Sequence, residues 1–276
     1  MLEPPVRWVV TAAVAIVAFV AAFMGLLWWG QEKILFQPPP FTGDANVEGR
    51  VEYSASDGQK LAGYVVGDPR SSPGLLICFH GNADLSVWQR DWAAEVVRQT
   101  GYAVFLAEYR GYLSLGGTPS YASTRLDSEA AYIHAVSSLG ANPQAIALFG
   151  HSLGSGVATE LAERHPPRVL LLQSPFSSAR AMARVIVSRP TELAWNAVTR
   201  IHFDTRTAVS KLDTPVFVIH GTRDRIVPVR LGREVFDAAK NKGNLLIVEG
   251  AGHNDLSQVG GDAYWSWVRA ALRFSE

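Results

Sequence analysis

The longest uninterrupted apolar pattern lies near the N-terminus. No residue from Trp8 to Gly30 carries a charge; Arg7 bounds one end, and Glu32 and Lys33 bound the other. As a helix this stretch is about 34 Å long at ~1.5 Å per residue, enough for a hydrocarbon core of ~30 Å. Trp8 stands at one edge and Trp28 and Trp29 at the other, where indoles favour the membrane interface. A cleaved signal peptide has an apolar core of only ~7–15 residues followed by small residues; this run is longer and ends in Leu26, Leu27, Trp28 and Trp29. A buried core helix is the other alternative, and a position ahead of the folded domain argues against it. The pattern predicts an uncleaved anchor over 1–33. Pro38, Pro39 and Pro40 then predict a stiff, extended spacer over 34–46, holding a domain of residues 47–276 just off the bilayer. Arg7 and the terminal amine precede the span. That bias places the N-terminus inside and the domain on the extracytoplasmic side.

Beyond the spacer the period changes. Residues 50–54 and 60–66 alternate around Asp57–Gly58 and predict a hairpin. Short, wholly apolar runs follow at 75–79, 103–106, 145–149, 169–172, 216–219 and 245–248. Such runs suit parallel strands buried on both faces. Helical stretches lie between them at 87–100, 121–139, 153–164, 179–187, 229–240 and 261–273, with Pro119 and Pro228 near helix starts. A hairpin followed by repeated strand–helix units predicts an α/β fold, with one mostly parallel sheet of about eight strands between helices. Residues 176–214 are the longest stretch between two later strands and predict one helix and a small cap.

Composition narrows the function. Lys plus Arg and Asp plus Glu number 25 each, so no basic surplus supports a nucleic-acid partner. The single cysteine, Cys78, excludes an internal disulfide framework and a cysteine-based zinc cluster. It fits either a reducing compartment or a cysteine-avoiding periplasmic domain. Walker A, H-E-x-x-H and dinucleotide glycine motifs are missing from the sequence, so no cofactor or metal is expected.

Gly150-His151-Ser152-Leu153-Gly154 fits G-x-S-x-G, between a predicted strand and a predicted helix. That context puts a serine on a sharp turn beside a helix N-terminus, where free N–H groups favour negative charge. A serine hydroxyl is a weak nucleophile and needs a base, which needs an orienting acid. The strand 216–219 runs into a loop carrying Asp224, and 245–248 runs into a loop carrying His253. Ser152, Asp224 and His253 therefore share the rim where open α/β sheets bind ligands. Asp255 and Asp213 are rival acids: the first is a local turn or cap residue, the second precedes its strand on the opposite rim. His134 and His165 read as surface helix residues, His220 as structural, and His202 has no partner pattern. The side chain of His151 is expected to point away from the nucleophile. The developing oxyanion needs preorganised donors. These are expected from the backbone N–H of Leu153 and of Asn82, with Ala83 the alternative to Asn82. Because both donors are main-chain groups, replacing the Asn82 side chain is expected to be mild.

These motifs resemble the α/β-hydrolase superfamily over most of 51–275, and most closely its small membrane-anchored hydrolase-domain proteins, among them serine aminopeptidase-like and depalmitoylase-like members. Phe36-Gln37-Pro38, Tyr109-Arg110-Gly111 and Ser174-Pro175-Phe176 match that group. Glu108 in place of Asp, the loop Tyr112-Leu113-Ser114-Leu115, and Gln173 in place of Glu depart from it. The cysteine-rich N-terminus of the depalmitoylases is absent from the sequence. Sequence and resemblance together imply a metal-free serine hydrolase acting on an acyl ester or thioester, with amphipathic or membrane-borne chains favoured. A peptidase or amidase of the same fold, and a catalytically silent membrane-tethered scaffold, are the alternatives. Oligomeric state is not readable.

Overall fold

The computed structural model describes residues 4–273. Eight strands form one sheet in the order β1-β2-β4-β3-β5-β6-β7-β8. They are β1 (Arg50–Ser54), β2 (Lys60–Val66), β3 (Leu75–Phe79), β4 (Ala103–Ala107), β5 (Ile146–His151), β6 (Val169–Gln173), β7 (Val216–Gly221) and β8 (Lys242–Val248). The hairpin β1–β2 joins antiparallel to β4, and β4 to β8 run parallel. Every residue of β3, β4, β5 and β7 is buried, as wholly apolar parallel strands require. From β3 the chain moves to β4 on one side and later returns to β5 on the other. This reversal opens a crevice at the carboxyl ends of β3 and β5, the place where such sheets bind ligands.

Helices α2 (Arg90–Thr100), α3 (Tyr121–Ser137), α4 (Leu153–Arg164), α8 (Val229–Ala238) and α9 (Leu256–Leu272) cover the sheet. The expected start of the last helix at 261 marks a kink instead: α9 begins five residues earlier, and Gly261 interrupts it with φ +48° and ψ −126°. The cap is more elaborate than the single expected helix. It holds α5 (Ala179–Ile186), α6 (Arg189–Val198) and α7 (Thr205–Val209). Ser178 and Asp204 cap α5 and α7 through their side chains, and Pro190 sits in the first turn of α6.

Helix α1 runs Pro4–Leu35, and its Val6–Leu35 portion is long and apolar enough to cross a membrane. Its last turns do not stand clear of the domain. Gln31 is fully buried. Its amide oxygen accepts the Arg200 N–H at 2.6 Å and the Thr199 hydroxyl at 3.2 Å. The Arg200 guanidinium lies 4.4 Å from the Trp28 ring centroid. Phe36 is buried in the core, a contribution of about 1.5–3 kcal/mol for a large apolar side chain. The end of α1 and Phe36 are therefore packed against the domain.

Arg110, just after β4, ties three elements together. It donates to Asp127 Oδ1 on α3 at 2.7 and 2.9 Å and to Asp57 in the β1–β2 turn at 2.6 and 3.2 Å. Asp127 is buried, whereas Asp57 is substantially exposed. Arg110→Ala leaves the buried Asp127 carboxylate without its cation and with only the residue-110 N–H as a donor from this loop, and we expect a loss of about 3–5 kcal/mol. Urea denaturation of the detergent-solubilised protein checks this; an unchanged midpoint refutes it.

Candidate functional site

Strand β5 ends in a turn that no larger residues would allow. A Cβ on Gly154 would lie 2.0 Å from the Phe79 carbonyl oxygen, and one on Gly150 would lie 2.3 Å from the Gly154 oxygen. Close approach of α4 to the end of β3 thus demands glycine at both positions. Between them Ser152 is held at φ +51° and ψ −116°, a strained conformation for a side-chain-bearing residue. The strain lifts Ser152 to the crevice, and Leu153 opens α4 with the unpaired N–H groups of a helix start.

Asp224 and His253 meet on the same rim. Asp224 Oδ2 lies 2.7 Å from His253 Nδ1. Oδ1 accepts the N–H groups of Ile226 and Val227 at 2.9 and 2.8 Å. His220 Nε2 donates to the Val227 carbonyl at 2.8 Å and approaches Asp224 Oδ2 at 3.2 Å. Burial pushes the Asp224 carboxyl up, but the His220 and His253 contacts and the Val227 amide outweigh it and hold it well below the ordinary carboxylate range. An ionised Asp224 accepts a hydrogen bond from Nδ1–H of His253, leaving Nε2 as the acceptor. His220 is fully buried against this pair. The rival acids have other partners: Asp255 accepts the Gly252 N–H at 2.6 Å, and the exposed Asp213 pairs with Lys240 at 2.6 Å.

Ser152, His253, Asn82 and Ala83 line one cavity of about 630 Å³. His151 lines it too, which corrects the expectation that its side chain points elsewhere. The strand continues past the apolar run to His151, paired with Gln173 on β6, so both side chains reach the rim. His151 Nε2 donates to the His253 carbonyl at 3.2 Å, and the two rings are 5.0 Å apart. The same cavity wall carries a chain in which Trp92 donates to Tyr264 (2.8 Å) and Tyr264 to Gln173 (2.9 Å).

The loop after β3 is clamped from beneath. His80 Nε2 lies 2.5 Å from Glu108 Oε1, and Glu108 Oε2 accepts the N–H and hydroxyl of Ser86. Burial alone lowers the pKa of His80, yet the Glu108 carboxylate beside it leaves that pKa raised. The longer Glu108 thus reaches two groups across the crevice floor. Asn82 is more than a turn residue. Its Oδ1 accepts the Tyr112 hydroxyl at 2.9 Å and the Gln37 N–H at 2.8 Å. The side chain expected to be dispensable ties the loop to the segment after α1. A second, apolar cavity of about 230 Å³ opens beside the first and shares Asn82, Ser152 and Ile226 with it. Among the described residues no cluster of three His, Cys, Asp or Glu side chains is placed to hold a metal ion.

Residues 74–190 match the family model for the alpha/beta hydrolase fold, and 193–269 match that for TAP-like proteins. An uncharacterized protein of Mycobacterium tuberculosis, Rv2307c, is 32% identical over 271 residues, covering 94% of this chain and 93% of its own. The chain belongs to the α/β-hydrolase family. Alpha/beta hydrolase domain-containing protein 17B of Xenopus laevis is 28% identical over 74% of this chain and 69% of its own. The lysophosphatidylserine lipase ABHD12 of Danio rerio is 29% identical over 64% of this chain and 50% of its own. The fold is shared with an esterase of Pyrococcus furiosus, with TM-score 0.65 and 20% identity over 86% of this chain and 96% of that one.

His151 carries the pH prediction. Burial, and then the neighbouring His253, push its pKa from 6.5 down to about 4. The unfolded chain therefore takes this proton first as pH falls. The stability His151 confers is complete above about pH 6.5 and is lost progressively towards pH 4. We expect His151→Gln, which keeps a donor for the His253 carbonyl, to lose less stability than wild type over that interval. Urea unfolding at both ends of the interval decides; equal losses refute it.

Proposed function

We propose that the protein is a membrane-anchored serine hydrolase that cleaves an acyl ester or thioester. The observation that carries this reading is the Asp224–His253 pair, 2.7 Å apart, facing the same cavity as the strained Ser152. Ser152 attacks the acyl carbonyl while His253 Nε2 takes its proton. Asp224 keeps His253 in the tautomer that can do so and stabilises the resulting cation. The amides of Leu153 and Asn82, or of Ala83 in place of Asn82, hold the oxyanion, each worth roughly 2.7–4 kcal/mol. His253 then protonates the leaving group, and water entering from the larger cavity cleaves the acyl-enzyme. No cofactor takes part in these steps.

The anchor belongs to the same reading. A signal peptide removed after this helix would take with it the buried Gln31 and its bonds to Thr199 and Arg200. That packing supports retention of the anchor, whose residues 1–33 lead through 34–46 into the catalytic domain. The Arg7 side of α1 is cytoplasmic and the catalytic domain extracytoplasmic. The apolar cavity at Ser152 favours an acyl substrate over a peptide.

Fluorophosphonate labelling of the detergent-solubilised protein tests the nucleophile. Wild type is expected to label, and Ser152→Ala and His253→Ala are not. Asp224→Asn is expected to slow ester turnover about ten-thousand-fold by stabilising the wrong histidine tautomer. A folded wild type that fails to label overturns the reading.

A further inference from the structure

The apolar cavity at Ser152 has an unusual wall. Met182, Ala183 and Trp195 of the cap close one side, Leu153 and Phe203 lie on others, and Ile34 and Leu35 from the last turn of α1 complete it. One continuous helix therefore carries both the candidate membrane span and part of this cavity. We infer that the last turn of α1 forms a wall of the acyl-chain site. The chain of a membrane-resident, single-chain acyl amphiphile then reaches Ser152 along α1, directly from the bilayer. The inference rests on the serine-hydrolase reading above.

Three observations support it. The first is position. Trp28 and Trp29 sit two turns before the cavity, with Arg200 4.4 Å and Lys33 4.1 Å from their respective ring centroids. Indole–cation pairs of this kind suit the membrane interface, so the cavity begins just where α1 leaves the lipid. The second is exposure. Ile34 is 56%, Ile186 69% and Leu193 71% exposed. They lie on α1, α5 and α6, which pack against one another in sequence, α1 on α6 and α6 on α5. Apolar side chains left open on adjoining elements mark a contact surface, and their attachment to the span identifies the occupant as lipid. The third is polarity. The other cavity at Ser152 is the more polar of the two, presenting Asp84, Gln89, Gln173, Asn254 and Gln258 beside Trp88 and Trp92. A substrate bridging both cavities has one apolar arm and one polar arm, as a single-chain amphiphile does. The bond from the Gln37 N–H to Asn82 further ties this wall to the candidate oxyanion loop.

The test uses the full chain in phosphatidylcholine vesicles. Leu35→Trp narrows the cavity from the α1 side and is expected to lower the lauroyl-to-acetyl ratio of ester kcat/KM at least ten-fold. Leu35→Ala widens it and is expected to raise the palmitoyl-to-lauroyl ratio. A fluorophosphonate carrying a dodecyl chain with a terminal diazirine supplies a readout independent of turnover. After photolysis, crosslinks in 27–35 together with 179–198 support the inference. Crosslinks confined to 82–92 or 254–258 overturn it, as do ratios unmoved in both variants while Ser152 still labels. Wild type that fails to label with any fluorophosphonate sinks the serine-hydrolase reading itself, and this inference with it.

Discussion

Everything at the rim depends on how closely backbone can approach backbone at the carboxyl end of the sheet. Helix α4 begins in contact with the end of β3, where a Cβ on Gly154 would fall 2.0 Å from the Phe79 oxygen. The end of β7 meets the His253 loop just as tightly, since a Cβ on Gly221 would fall 2.3 Å from the Ala251 oxygen. The first approach sets Ser152 beside the loop carrying Asn82. The second sets Asp224 beside His253. Neither juxtaposition needs a long or flexible side chain, because the backbone has already closed the distance. A closely packed interior resists even one added methyl group, so this arrangement tolerates little variation beneath the site and much variation above it.

Polar groups then hold the approaching loops in place. Glu108 serves His80 with one oxygen and Ser86 with the other. Asn82 accepts from Tyr112 and Gln37 at once. Asp224 accepts two backbone amides besides its histidine contacts. Each side chain is satisfied from two directions, as the low local dielectric around the buried Glu108 and Asp224 demands. Such groups fix the loops around the crevice at Ser152.

The parts legible in the sequence are those whose physics is local. Wholly apolar runs mark the buried parallel strands, and the Gly150–Gly154 pattern marks the turn. Spacing after each strand places Asp224 and His253 on one rim, and their hydrogen bond is present in the structure. The features that escape a sequence reading depend on contacts between distant segments. Helices α6 and α7 are short and take their stability from packing on α1, α4 and α8; no long periodic pattern marks them. The docking of α1 rests on Gln31 meeting Thr199 and Arg200, more than 160 residues away in sequence. The Asn82 side chain looks replaceable because its two partners, at 37 and 112, lie far from it along the chain. The ring of His151 escapes for a subtler reason: the strand outlasts its apolar run by two residues, and those two decide which way the ring faces.

The same contrast bears on where the catalytic unit begins. Hydropathy divides the chain at residue 33, and the three prolines suggest that residues 34–46 merely link two parts. Packing draws a different boundary. Gln31 and Phe36 are as buried as core residues, and Leu35 faces a cavity that reaches Ser152. A linker that only tethers has no reason to bury a glutamine amide between two helices, since desolvating that group costs free energy unless every bond is replaced. Here the bonds are replaced, by Val198, Thr199 and Arg200. The end of α1 is therefore part of the folded domain in the energetic sense, whatever its composition shares with the span before it. A helix held this way fixes the height and tilt of the domain relative to anything the helix crosses, and so fixes which face of the cap meets it.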